Sequence, residues 1–241
     1  MMNLPSIHEQ HKNKKVVNDF FRAQLRIPEY LSRFIRFQPF EKSTPILELD
    51  YLFVDIETSG LNANSDSILS IGWVCLKDGR LDLSSARHHY IKTHSPINFS
   101  NATVHHILPE MLERGSELES VFKEMFQVAR GGRIVVHGAC VEARFFSTYF
   151  KAQYYSDVVP ILYLDTILIE KFFAMKHRLN ESDFRLTSTR KRYELPDYLA
   201  HNALVDAIAT AELFLCQVER LALFNKRHFG DLCKIAEVIG R

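Results

Sequence analysis

Tyr51-Leu52-Phe53-Val54-Asp55-Ile56-Glu57-Thr58 is an apolar run that ends in two carboxylates two positions apart. Leu52, Phe53 and Val54 read as a buried β-strand, and side chains at i and i+2 of a strand share a face. Asp55 and Glu57 therefore stand side by side. Two such groups repel each other and are costly to desolvate. A cation between them removes that cost, and oxygen-only ligands suit a hard ion such as Mg2+ or Mn2+. Alone, such a pair is ordinary solvated surface. Two further blocks change the weighing. Residues 133–146 run from Arg133 through Val136-His137-Gly138 to Glu142 and Phe146, and residues 201–214 open on His201-Asn202-Ala203-Leu204-Val205-Asp206. Each places an acid at the start of an expected helix. Asp55, Glu57, Glu142 and Asp206 then make four carboxylates, and His201 lies five residues before the last.

Outward from the first block, residues 49–93 read as three strands, at 51–56, 67–77 and 81–92. Lys77-Asp78-Gly79-Arg80 is the hairpin turn between the last two, and the short links favour antiparallel pairing. Residues 101–130 read as one helix with a core stripe of Leu118, Val121, Phe122, Met125, Phe126 and Ala129, ended by Gly131-Gly132. A fourth strand is expected at 133–137, a helix at 141–153 and a short fifth strand at 162–165. Helices are expected at 166–176, 184–193 and 202–224, with a short helix or tail over 226–241. Three antiparallel strands followed by strand–helix–strand imply a mixed five-stranded α/β sheet with helices on its faces. Residues 1–48 form a separate segment of interleaved Lys, Arg and Phe. Val17, Phe20, Phe21 and Leu25 recur there at helical spacing, Pro28 interrupts, and a second short helix is expected over 29–36. This extension is either a nucleic-acid or partner surface, or a helix pair packed on the main domain (49–225).

The chain has 241 residues, 46% hydrophobic and 24% charged, with a formal net charge of +1. That composition is ordinary for soluble globular proteins. The charge is not that of a protein that coats long duplexes through many cationic contacts; it is compatible with an enzyme gripping a few nucleotides at one end and equally with no nucleic acid at all. The four cysteines, Cys75, Cys140, Cys216 and Cys233, are scattered, which argues against both zinc ligation and a disulfide framework. The start has no apolar core of signal-peptide length, and no apolar run approaches the ~20 residues that span a bilayer. The cytoplasm is the expected location, with no membrane partner.

The three acidic blocks, in this order, resemble the DEDDh class of 3′–5′ exonucleases, the group that contains the proofreading epsilon subunit of bacterial DNA polymerase III. The resemblance covers residues 49–222. The first block matches the family's Asp-x-Glu-Thr signature and the third its His-x-Ala-x-x-Asp signature, while Ser67-Ile68-Leu69-Ser70-Ile71-Gly72 looks like its second strand. The middle block departs from the commonest pattern, because Glu142 stands where Asp is usual. The resemblance independently implies a ribonuclease-H-like fold and hydrolysis of DNA from the 3′ end to nucleoside monophosphates. It further implies two Mg2+ or Mn2+ ions ~4 Å apart, which together activate water and stabilise the departing 3′ oxygen. Asp55 would touch both ions, Glu57 and Asp206 would complete the first site, and Glu142 would support the second. His201 fits a general base. Five residues separate it from Asp206, so the two cannot share a helical face. His201 therefore belongs in the preceding loop, Asp206 in the first helical turn, and Asn202 at the N-cap.

Thr58, Gly60 and Leu61 would lie against the terminal nucleotide, and His106 could touch substrate. Trp73 reads as core. Arg185, Arg190, Lys191 and Arg192 read either as phosphate contacts or as a solvated helix face, and His137 as a residue that orients neighbouring loops. The expected partner is the 3′ end of single-stranded or frayed DNA. RNA ends or short oligonucleotides are an alternative, because no residue settles how a 2′-hydroxyl is treated. A binding domain that kept the fold without activity is a further alternative, left open by Glu142. Only 17 residues follow Phe224, without a Gly-, Gln- or Ser-rich linker. The expectation is therefore a repair or turnover enzyme, or a subunit that uses its N-terminal segment, and not the main replicative proofreader.

Overall fold

The computed structural model describes residues 27–36, 42–93, 107–129, 133–154, 160–199 and 201–239. The first helix, α1 (Glu29–Arg36), follows Pro28 as expected, and a single 3-10 turn (Ile46–Glu48) leads into β1 (Tyr51–Thr58). Then come β2 (Ile68–Lys77), β3 (Arg80–Tyr90), α2 (Pro109–Glu113), α3 (Leu118–Val128), β4 (Ile134–Val136) and α4 (Cys140–Tyr154). The chain continues through β5 (Leu162–Asp165), α5 (Thr166–His177), α6 (Leu186–Arg192), α7 (Ala203–Ala222), α8 (Phe229–Ala236) and β6 (Glu237–Ile239).

The strands form one mixed sheet in the order β3-β2-β1-β4-β5-β6. β1, β2 and β3 pair antiparallel, β1, β4 and β5 pair parallel, and β6 returns antiparallel on β5. The sheet thus has six strands and not the five expected. β6 is three residues long, too short to show a strand's alternation in sequence, and is specified by the free edge of β5. β2 is buried along all but its last residue, which accounts for an apolar run broken only by Ser70 and Gly72.

Alternation divides β1 between two cores. Leu52, Val54 and Ile56, with Ile71 and Trp73 of β2, face α1, α3 and α4 through Leu31, Phe122, Phe146 and Phe150. Tyr51 and Phe53, with Val74, face α5, α7 and α8 through Phe173, Phe214 and Leu232. Trp73 is fully buried in the first core, as expected.

The single helix expected over 101–130 is two helices where it is described. Between α2 and α3 the chain turns aside to pair with the end of β3, Ser116 N–H donating to Tyr90 O and Lys92 N–H to Ser116 O. Residues 94–106 and Gly131-Gly132 lie outside the described residues. So do residues 1–26 of the N-terminal segment. Its described helix packs on α3, with the rings of Phe34 and Phe126 4.7 Å apart. Glu119 of α3 accepts from Tyr30 of α1 and from Tyr149 and Tyr154 of α4, all at 2.7–2.9 Å. At the other end, the turn before β1 is knitted to the start of α8: Ile46 N–H to Arg227 O, Phe229 N–H to Thr44 O and Gly230 N–H to Lys42 O.

Candidate active site

Asp55 and Glu57 sit near the carboxyl end of β1, on the face covered by α7. Across the ladder Asp55 pairs with Gly72 and Glu57 with Ser70, and a bulge follows between Glu57 and Thr58. α7 begins directly above them. Asn202 is its N-cap, with the side-chain oxygen accepting from Val205 N–H at 3.2 Å. Asp206 is in the first turn, where the exposed N–H groups and the helix dipole favour an anion. Its Oδ2 accepts the backbone N–H of His201 at 2.9 Å. His201 itself is exposed and has φ of 69°, a left-handed conformation that His adopts more readily than most residues. The loop and cap arrangement read from the sequence is the one observed.

Asp55, Glu57 and Asp206 each offer a carboxylate oxygen within 4.8 Å of the others. Oxygens bound to one small divalent ion lie about 3 Å apart when adjacent and about 4 Å apart when opposite, so the three draw together by up to about 2 Å to share an ion. The electrostatics call for such an ion. Burial, followed by the charges of Glu142, Asp206 and Glu57, pushes Asp55 well above the usual carboxylate range. Burial and then Asp206 push Glu57 up to about 8. Burial also raises Asp206, against the backbone N–H groups of His201 and Asn202, which lower it.

Glu142, in the first turn of α4, reaches the cluster from the opposite face of the sheet. It is buried, its Oε2 has no hydrogen-bond partner among the described residues, and it is pushed up to about 8 by burial and by Asp165 and Glu57. Three acids together and a fourth beside them, buried and raised, fit a divalent metal centre.

Two residues that position this site were not read from the sequence as doing so. Asp165 accepts three backbone N–H groups: Gly138 and Ala139 at 3.0 Å, and Ile167 at 2.8 Å. One carboxylate thus caps α5 and fixes the turn that delivers Glu142. The signal available was an Asp directly before a helix. The second is Arg190, expected as a phosphate contact or as solvated surface. It is neither. It is buried, bonded to Glu212 at 2.8 Å and to the carbonyls of Ala209 and Pro196, and it ties α6 and the loop before His201 to α7. Arg185 and Arg192 are exposed, as is Lys191, and pair at the surface with Asp183 and Glu181 respectively. His137 binds Thr166 Oγ1 and Phe184 O, at 2.8 and 2.7 Å, and so joins the start of α5 to the loop before α6.

Beyond β1, Thr58 Oγ1 donates to Gly60 O at 2.7 Å. Asp66 holds the same turn through Ser59 and the backbone of Asn62. Leu61 projects from it, 77% exposed. His106 lies outside the described residues.

Residues 52–214 match the family described as "Exonuclease" (RNase_T). The chain belongs to this exonuclease family. DNA polymerase III PolC-type of Thermotoga petrophila is 30% identical over 189 residues, which cover 78% of this chain and 13% of that protein. A DNA polymerase III subunit epsilon-like protein of Rhodobacter capsulatus is 28% identical over 202 residues, 82% of this chain and 28% of that protein. The exonuclease therefore spans a minor part of the length of these relatives. The solved nuclease domain of 3′hExo, a DEDDh family member bound to rAMP, superposes with a TM-score of 0.59 at 13% identity, covering 71% of this chain and 92% of that one. That likeness shows a shared fold of the ribonuclease-H-like kind, and this chain's membership of the exonuclease family rests on the match over residues 52–214. No helix among its described residues is long and apolar enough to cross a membrane.

Proposed function

We propose that the exonuclease removes nucleoside monophosphates from DNA 3′ ends with two divalent ions, Mg2+ or Mn2+, in proofreading, repair or turnover in the cytoplasm. The observation that carries this reading is the convergence of Asp55, Glu57 and Asp206 beside the buried Glu142. The ions, when bound, supply an activated water and charge stabilisation of the departing 3′ oxygen. Asp55, Glu57 and Asp206 would hold one, and Asp55 with Glu142 the other. His201 accepts the proton of the attacking water at a ring nitrogen, and its loop position lets the imidazole approach when the chain end arrives. The P–O3′ bond breaks as the new P–O bond forms, the departing 3′ oxygen takes a proton from solvent, and the phosphate stays on the 5′ oxygen of the released nucleotide. Leu61, with Thr58 and Gly60 forming its turn, meets the terminal base.

DNA is favoured over RNA because both relatives bear the names of DNA polymerases. Association of this chain with a polymerase is a separate proposal, for which co-purification with polymerase III subunits is the test. For the activity, end-labelled single-stranded DNA, duplex DNA and RNA are incubated with Mg2+, Mn2+ or chelator. Metal-dependent shortening of DNA from the 3′ end is the expected result. Shortening confined to RNA overturns the substrate, and metal-independent shortening overturns the mechanism.

A further inference from the structure

Gly72 is a bare position in the middle of β2, between Asp55 on β1 and His88 on β3. A Cβ built there would stand 2.2 Å from the backbone nitrogen of Leu204 and 2.3 Å from the carbonyl carbon of Ala203. Neither is a side chain that can swing away. The first turn of α7 therefore rests its backbone on the sheet at this residue. Ala203 and Ala207, both fully buried, lie one turn apart on one face of α7 and keep it low. Asp206 follows Leu204 by two residues. The height of this turn above β2 decides how far its carboxylate stands from Asp55 and Glu57.

We propose that Gly72 is a positioning residue that sets the width of the Asp55–Glu57–Asp206 cluster and so selects a small divalent ion over a large one. The proposal rests on the metal-dependent reading above and deepens it by naming the residue that enforces the ion size. Mg2+ requires near-octahedral oxygens at about 2.0–2.1 Å, whereas Ca2+ accepts irregular shells at about 2.3–2.6 Å. Restoring ordinary carbon contact of ~3.5 Å at a new Cβ would lift the α7 turn by about 1 Å. A cluster widened by that amount loses Mg2+ first, Mn2+ less and Ca2+ least.

The test is calorimetric titration of Mg2+, Mn2+ and Ca2+ into the full chain, as the parent, Gly72→Ala and Gly230→Ala. Gly230 supplies the matched control. A Cβ there also clashes, 2.8 Å from Lys42 Cβ and 3.0 Å from its carbonyl oxygen, but between α8 and the segment before β1. Thermal melting without metal reports the structural cost of each change. Both variants should melt lower, and only Gly72→Ala should bind Mg2+ roughly 10–100-fold more weakly while changing Ca2+ affinity less. A folded Gly72→Ala with the parent's Mg2+-to-Ca2+ ratio overturns the proposal. Should Gly72→Ala fail to fold, Ala207→Val lifts the same helix one turn further on, and an unchanged ratio in that variant overturns it equally. A parent that binds no divalent ion overturns the metal-dependent reading itself. A parent that binds Mg2+ and shortens DNA, beside a variant with an unchanged ratio, removes only the role of Gly72.

Discussion

At Asp55 three charges and burial act in one direction, and nothing on the described chain offsets them. Asp55→Ala or Asp206→Ala should remove nearly all nuclease activity while leaving the metal-free protein as stable as the parent or more so, since each deletes one member of a repelling set. Activity and urea midpoint measured on the same preparation check this, and substantial residual cleavage would remove these residues from the mechanism. The same repulsion gives the free protein a definite pH response. Glu57 and Glu142 keep their protons to about 8 when folded, whereas in the unfolded chain they lose them near 4.3. The folded form therefore binds more protons across that window. Stability should be fullest below the unfolded value and fall as pH rises toward 8. Urea midpoints at pH 5 and pH 8 in chelator should show the drop, and saturating Mg2+ should shrink it. His201 acts on rate instead. Only a neutral imidazole takes a proton, so activity should decline on the acid side, and His201→Ala should lose that limb while metal affinity holds. An unchanged profile in the variant excludes His201 as the base.

Elements deliver these residues, and some of that delivery was readable in the sequence. β1 and β2 announced themselves as apolar runs, and α7 as a capped helix with an acid in its first turn, because each signal is local. The turn before α4 is different. It is held by Asp165, 26 and 27 residues away from the N–H groups it accepts, and no local pattern encodes such a pairing. Arg190 likewise looked like surface because its partner Glu212 comes 22 positions later. The break at Arg114-Gly115-Ser116 depends on the edge of β3, and β6 on the edge of β5. The fold class and the approach of Asp206 to Asp55 and Glu57 were thus legible from motif and periodicity, and the supports around them were not. Asp165→Ala should cost on the order of 2–4 kcal/mol, from a lost cap and two buried N–H groups left unpaired. It should also weaken the ion nearest Glu142, so that excess Mn2+ restores part of the activity. Denaturant titration and a metal-dependence curve measure the two effects separately, and full activity at limiting metal would disconnect Asp165 from the site.

In the whole molecule, α8 and β6 complete what the segment to Asn225 leaves open. Phe229, Leu232 and Ile235 fill the core against α5 and α7, and β6 covers the edge of β5. A chain ending at Asn225 should expose that core and edge, and be recovered as aggregate or as a form that melts non-cooperatively. A soluble, cooperatively melting truncation would show the ending to be dispensable. The division of the acids between the two sides of the sheet carries a further consequence. Asp206 arrives on α7 from one core and Glu142 on α4 from the other, so the proposed four-acid set is complete only when both cores are assembled. A copy with either core unformed should therefore cut nothing, and cleavage followed across a urea titration should vanish with the first core to open.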